Sequence, residues 1–230
     1  MLTDVRSVAL GAAGLTWLGC LGAYLASASQ GYIPWCVPHL VGCESVSATG
    51  RHGWGYFLFK ACLLPASGLL WVYWLLCWHW LGELGARGRL RRSILLCGWT
   101  ATLALVLYVT FLGSDGDVYR NLRRYGTVIY FGGTYLAQLL LIKQLRDLAY
   151  DPALVGLLRW LALAMLFGAA SFGLLANFFD NDDALQNISE WNFGSLLTAF
   201  PALTWIAWRR NGFSGQALCT STAVPRPDPL

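Results

Sequence analysis

The sequence predicts an all-α protein: a polytopic membrane protein built as a bundle of six transmembrane helices, with both termini in the cytoplasm. The composition is 57% hydrophobic and only 12% charged, which is too apolar for an ordinary soluble domain. Six apolar runs are separated by short polar connectors, and each run is about 20 residues or longer, enough to cross a hydrocarbon core of about 30 Å. The runs cover residues 7–27, 55–81, 93–112, 125–145, 154–176 and 191–208.

These runs use up most of the 230 residues, so we expect one transmembrane domain over residues 1–210. Residues 211–230 contain three prolines and few large apolar side chains, which predicts a disordered cytoplasmic tail. The first run has an alternative interpretation, because Ala26-Ser27-Ala28 is similar to a signal-peptide cleavage site. Cleavage there would leave five spans and an outer N-terminus, but the length of the run favours an uncleaved span.

The basic residues predict the orientation. With both termini in the cytoplasm, that side holds 11 of the 16 basic residues, which is the excess that the positive-inside rule requires. Connectors one, three and five then share the outer face. The five basic residues on the outer side are Arg51, Lys60, Arg120, Arg123 and Arg124.

Small residues and prolines in the spans predict how the helices pack. In lipid, small side chains let helix backbones approach closely. Pro65 and Pro201 lie inside the second and sixth spans, where each removes a backbone donor and predicts a bend. The predicted small-residue faces are Gly11, Gly14 and Gly22 in the first span, and Gly126, Tyr130, Gly133 and Ala137 in the fourth.

The first connector, residues 30–54, is the longest, and a connector of this length is more often functional or self-packed than a simple link. Cys36 and Cys43 lie seven residues apart on the predicted outer side, where oxidation is possible. A small loop disulfide is therefore a possible pairing. The cysteines within the spans are expected to be small buried apolar residues.

Four polar residues are candidates for catalysis: His39 and His52 in the first connector, Asp180 in the fifth, and Glu190 before the last span. Histidines and carboxylates can bind a metal that activates water. Their spacing matches no metal-ligand pattern, so we predict neither a metal nor a cofactor, and solvated loop side chains are the simpler interpretation. A carboxylate at a membrane edge needs a partner, although Glu190 also suits the positive end of a helix.

Arg120, Arg123 and Arg124 share one helical face at the entrance to the fourth span. Guanidinium groups in such a cluster can hold a lipid phosphate by paired hydrogen bonds, so we predict lipid headgroup binding here. The alternative is that the three side chains extend to the interface or pair with Asp115 or Asp117.

Three stretches resemble a known family of six-span proteins. One lies in the fourth span, where residues 126–135 and Gln138 are similar to a Gly/Phe/Gly/Tyr pattern, and one is Ser189-Glu190-Trp191 at the start of the last span. On these stretches the chain resembles a distant member of the DRAM/Frag/Sfk superfamily. That superfamily includes damage-regulated autophagy modulators, GPI-anchor remodelling proteins and Cwh-type N-terminal domains. The remaining stretch is a motif in the first connector that contains Ser45, Ser47, Thr49 and Gly50.

The resemblance implies a role in membrane-lipid processes, such as GPI-lipid remodelling or lipid homeostasis. The chain departs from the family at two places. Arg123 stands near the position of a family histidine, and Gly53-Trp54 replaces a Pro-Glu pair after the connector motif.

We therefore expect a lipid-associated integral membrane protein whose outer connectors bind a lipid headgroup or a membrane-protein partner. The alternative is a membrane-embedded lipid hydrolase or acyltransferase that uses the histidines and carboxylates. A transporter is disfavoured because the spans contain almost no charge and no paired broken helices. No basic block indicates nucleic-acid binding. The expected location is the plasma or inner membrane of a bacterium or an endomembrane of a eukaryote.

Overall fold

The structure of the protein, a computed structural model, describes residues 4–175 and 182–214. Asp180 and most of the predicted tail lie outside these residues. The regular secondary structure of the described part is helical throughout. In chain order the helices are α1 (Ser7–Ser29), α2 (Pro38–Val41), α3 (Val46–Thr49), α4 (Gly53–Glu83), α5 (Arg89–Thr110), α6 (Asp117–Asp147), α7 (Pro152–Leu175) and α8 (Asp182–Arg210).

Five of the described helices, α1 and α4 to α7, are long and apolar enough to cross a membrane, by length and composition. The prediction of a helical membrane protein is confirmed to that extent. Helix α8 is long enough, at 29 residues, but it is less apolar. Its polar positions include Asn192, Ser195 and Thr204, and these side chains lower its hydropathy.

The six long helices form a closed ring, in which each helix packs against the next and α8 returns to α1. Neighbours along the chain approach closely where one side chain is small. A Cβ added at Gly19 of α1 would lie 2.7 Å from the Cβ of Cys62, and one added at Gly55 of α4 would lie 2.1 Å from Ser27 Oγ. These glycines let α1 and α4 pack side by side in opposite directions.

The predicted small-residue seam of the fourth span lies against α5. A Cβ added at Gly126 would lie 3.1 Å from the carbonyl oxygen of Ala104, and one added at Gly133 would lie 3.1 Å from the Cβ of Ala101. The glycine face of the first span is different. An added Cβ at Gly11 would lie 3.0 Å from Leu69, but among the described residues Gly14 and Gly22 have no neighbour within 4 Å of an added Cβ, and a closer approach of α1 to α4 forms at Gly19.

A proline in α8 creates the main polar link between α6 and α8. Pro201 has no N–H, so the carbonyl of Leu197, four residues earlier, loses its helical partner. The side-chain amide of Gln138 on α6 donates to that carbonyl at 3.0 Å. Gln138 is buried, and in lipid an unpaired backbone carbonyl is costly, so this bond stabilises the pairing of the two helices.

We expect Gln138→Leu to lower the free energy of unfolding by about 1–2 kcal/mol, because it leaves the Leu197 carbonyl unpaired. In a Pro201→Ala background the restored N–H can bond that carbonyl, so the same substitution should cost less than half as much. Unfolding in mixed micelles, followed by tryptophan fluorescence, measures all four proteins. An equal cost in both backgrounds would show that Gln138 does not act through Leu197.

Candidate functional site

A cavity lies inside the ring, beneath the first connector, between α1, α4, α5, α6 and α8. Its volume is about 70 Å³, and it is partly open to the outside. Its walls are mainly apolar and aromatic, with Phe59, Leu63 and Phe131 among them. Two polar residues from separate elements, His39 and Glu190, lie on this lining. Both were candidates from the sequence, and the fold brings them to one cavity.

The first connector is held on the N-terminal part of α8 by side-chain donors. The amide nitrogens of Asn187 and Asn192 donate to the carbonyls of Gly42 and His39, both at 2.9 Å. The indole N–H of Trp191 donates to the Glu44 carbonyl at 2.9 Å. The connector therefore covers one end of the cavity and is fixed to the helix that lines it.

Gly42 ends α2 with a φ of +64°, a conformation that glycine adopts without strain. An added Cβ at this position would lie 2.0 Å from the carbonyl oxygen of Ala184 in α8. Only glycine lets the connector approach α8 this closely.

A disulfide joins Cys36 and Cys43, whose Cα atoms are 6.5 Å apart. It closes a short loop around α2, the helix that carries His39. The hydroxyl of Tyr24 on α1 accepts from the N–H of Cys36 at 2.7 Å and lies 2.8 Å from the Cys36 carbonyl. The loop is thus fixed to α1 on one side and to α8 on the other.

His39 lies at the centre of this arrangement. Its Nε2 is 3.0 Å from Ser195 Oγ on α8, within hydrogen-bond distance. Its ring stacks on Trp17 of α1 with centroids 6.4 Å apart, and the centroid of Trp191 is 5.3 Å away. Two indole rings and one hydrogen bond therefore hold the imidazole at the cavity wall. Burial lowers the pKa of His39, so the ring is neutral at neutral pH.

Glu190 comes just before the apolar part of α8, which begins at Trp191, and so lies outside the predicted span. Burial raises the pKa of Glu190 to about 7. The nearby backbone N–H groups of Val46 and Ser47 and the charge of Arg51 favour the ionised form, but burial outweighs them. The carboxyl group therefore titrates near neutral pH.

The connector motif has structural contacts throughout. Ser45 Oγ caps α3 by accepting from the N–H of Ala48 at 3.2 Å, and Ser47 Oγ accepts from Arg51 at 2.7 Å. The Thr49 hydroxyl donates to the Val46 carbonyl at 2.7 Å. At Gly50 an added Cβ would lie 2.6 Å from the Phe59 ring. These residues shape the connector that covers the cavity.

The other candidates lie elsewhere. His52 is exposed and stacks on Tyr32, with ring centroids 5.4 Å apart, directly before α4. It is not part of the cavity lining. In the described part of the chain, no group of three or more His, Cys, Asp or Glu residues is arranged to hold a metal ion.

The three outer arginines have separate surroundings. Arg120 pairs with Asp117 on the surface of α6. Arg123 donates to the carbonyls of Phe111 and Ser114 and so ties α6 to the end of α5. Arg124 is exposed. Headgroup binding by this group stays a prediction.

Ser195 was not a candidate from the sequence, because a serine in an apolar helix usually bonds its own backbone. A spacing signal was present nonetheless. Trp191, Ser195 and Thr198 follow one another at intervals of four and three residues, which places them on one face of α8. All three line the cavity.

The fold and the cavity define a class: an α-helical integral membrane protein with an internal, mainly apolar cavity. No protein-family model matches the chain, and no significant match was found among the curated proteins or the solved structures. The resemblance to the DRAM/Frag/Sfk superfamily therefore stays a prediction.

The high pKa of Glu190 predicts a pH-dependent stability. A carboxyl group whose folded pKa is about 7, against an ordinary value of 4.5, stabilises the fold fully below about pH 4.5, and this contribution is lost as the pH rises through 7. We expect Glu190→Gln to remove up to about 3 kcal/mol of pH dependence between pH 4.5 and 8. Thermal unfolding of both proteins in detergent at several pH values measures this.

Glu83→Gln is the matched control, since it also removes one negative charge. Glu83 is the last residue of α4, at the end of the bundle away from Glu190. The Glu83→Gln variant should leave the pH dependence of the wild type in place. If both variants unfold with the same pH dependence as the wild type, Glu190 is not a buried titrating group.

Proposed function

We propose that this protein binds a membrane lipid in the internal cavity, with an acyl chain among the apolar walls and the polar headgroup beneath the first connector. The observation that carries the proposal is that the cavity lining contains both apolar and polar side chains. Phe59, Leu63 and Phe131 offer an apolar wall, while His39 and Glu190 supply polar groups.

A lipid can reach this site from the side. Trp17 and Leu21 line the cavity and are also 47% and 38% exposed on the outer surface of α1. An opening at these residues faces the hydrocarbon region, because they belong to an apolar span. The ligand therefore need not leave the membrane to bind, which favours a membrane lipid over a water-soluble molecule.

We further propose that α8 is a sixth span and that both termini are cytoplasmic. The polar sites of α8 find partners inside the bundle: Asn192 bonds the connector, Ser195 bonds His39, and Thr204 Oγ1 lies 3.0 Å from the Tyr73 hydroxyl. Partnered groups of this kind are tolerated within a membrane.

The bundle ends support this orientation. The start of α1, the end of α8 and the connectors after α4 and α6 share one end, where Arg210 pairs with Asp151. This end carries most of the basic residues, as expected on the cytoplasmic side. The covered end of the cavity is then on the outer side, where a disulfide is stable.

This proposal places the headgroup at the cavity rather than at the outer arginines, since Arg123 is already engaged by carbonyl groups. A role in membrane-lipid or GPI-lipid homeostasis would accord with the family resemblance. Binding of a membrane-protein partner through the outer connectors remains a second expectation from the sequence.

A cavity-filling variant tests lipid binding. Gly194 lines the cavity, and we expect Gly194→Leu to reduce retained lipid about tenfold, because overpacking by a leucine side chain costs about 1–3 kcal/mol. Native mass spectrometry of the protein released from detergent micelles counts the lipids that remain bound.

Gly132→Leu is the matched control. An added Cβ at Gly132 on α6 meets no atom within 4 Å, and this position is exposed, so the same side chain would face the surroundings. It should retain lipid at the wild-type level. Equal retention by Gly194→Leu and the wild type would exclude the cavity as the binding site.

A further inference from the structure

We propose that Ser195 and His39 form a nucleophile–base pair that transfers the acyl group of an ester lipid held in the cavity. This inference rests on the proposed lipid-binding function and adds a reaction to it. The bundle thus places a reactive hydroxyl beside the site that we assign to the polar end of the lipid.

The hydrogen bond of Ser195 departs from the pattern of most helical hydroxyls. Serine and threonine side chains in a transmembrane helix usually donate to the carbonyl four residues earlier. Seven hydroxyls in the long helices follow that rule, at distances of 2.7–3.2 Å. Ser27 instead bonds the backbone carbonyl of Thr49, and Ser195 bonds a side chain, that of His39, which is 156 positions away along the chain. The seven are Thr16, Ser67, Ser93, Thr102, Thr127, Thr198 and Thr204.

The geometry suits proton transfer. The 3.0 Å between Ser195 Oγ and His39 Nε2 lies within the range of about 2.6–3.2 Å for a nucleophile and its base. Trp17 and Trp191 flank the imidazole and limit its rotation. The Asn192 amide bonds the backbone carbonyl of His39, so α8 positions both members of the pair.

The protonation state of His39 is also suitable. Burial lowers its pKa, so the ring is neutral at neutral pH and Nε2 can accept a proton. A histidine whose only role was to anchor the connector would not need to face a ligand cavity. His39 and Ser195 both line it.

The reaction has two balanced steps. In the first, Ser195 Oγ attacks the carbonyl carbon of the lipid ester while its proton passes to His39 Nε2. The ester C–O bond then breaks, His39 returns the proton to the leaving alcohol, and the acyl group remains on Ser195. In the second, water or the hydroxyl of another lipid attacks the acyl-serine, its proton passes to His39 and then to Ser195 Oγ, and the acyl product leaves.

Glu190 has no step in this scheme. It lies on the cavity lining with Val46, close to the connector and to the reacting pair. The pair itself needs an ester bond at the polar end of the cavity. A glycerolipid whose acyl chain lies among the apolar walls supplies one.

The test uses the full chain in lipid nanodiscs and a fluorophosphonate probe with a long alkyl chain, which forms a covalent adduct with an activated serine. Peptide mass spectrometry locates the adduct. We expect it on Ser195, at a rate that falls about 100-fold or more in His39→Gln, since a general base contributes about 10²–10⁴ to such reactions. Ser93→Ala, at the opposite end of the bundle, should be labelled like the wild type.

Lipid retention by the same samples, measured by native mass spectrometry, separates the possible failures. Wild-type protein that retains lipid but forms no adduct at Ser195 would overturn the acyl-transfer inference and leave lipid binding in place. Labelling of Ser195 at the wild-type rate in lipid-retaining His39→Gln would overturn the role of His39 as the base. A wild type that retains no lipid and forms no adduct would overturn both proposals.

Discussion

The hydrogen bonds between the first connector and the N-terminal part of α8 are the interaction on which the site depends. Trp191 and two asparagines of α8 donate to carbonyls of the connector. These bonds hold the connector over one end of a cavity that the ring of helices leaves open. They also place His39 beside Ser195. Without them the chain would retain its long helices but lose the contact between these two side chains.

The need of buried polar groups for hydrogen-bond partners also shapes the rest of the bundle. A polar group inside a membrane has no water to bond, so each must find a partner in the protein. Leu197 loses a helical partner to Pro201 and gains Gln138, and most helical hydroxyls bond their own backbone. Ser27 and Ser195 bond distant segments instead, and Ser195 differs from Ser27 because its partner is a second reactive side chain at a cavity wall. That pairing of two reactive side chains marks the proposed site.

The sequence predicted the helices well, because a long apolar run has few alternatives to a helix in lipid. Each long helix contains or closely overlaps its predicted run, and α6 extends about two turns beyond it at the N-terminal end. The packing faces were harder to predict. Glycine spacing alone does not tell which face meets a helix and which meets lipid, so the seam at Gly126 and Gly133 packs on α5 while Gly14 and Gly22 remain open.

The site was only partly predictable for a related reason. The length and composition of the first connector drew attention to His39, and the membrane-edge charge drew attention to Glu190. Their meeting at one cavity depends on the closure of α8 against α1, which no local pattern reports. Ser195 was hidden because a hydroxyl in an apolar helix is normally unremarkable.

A cryo-electron microscopy structure in nanodiscs made with membrane lipids would show whether the cavity holds a lipid with its ester beside Ser195. We expect elongated density in the cavity, entering beside Trp17, with its polar end within about 4 Å of Ser195 and His39. Lipid density confined to the outer surface of the bundle, with the cavity filled by side chains or water, would contradict it.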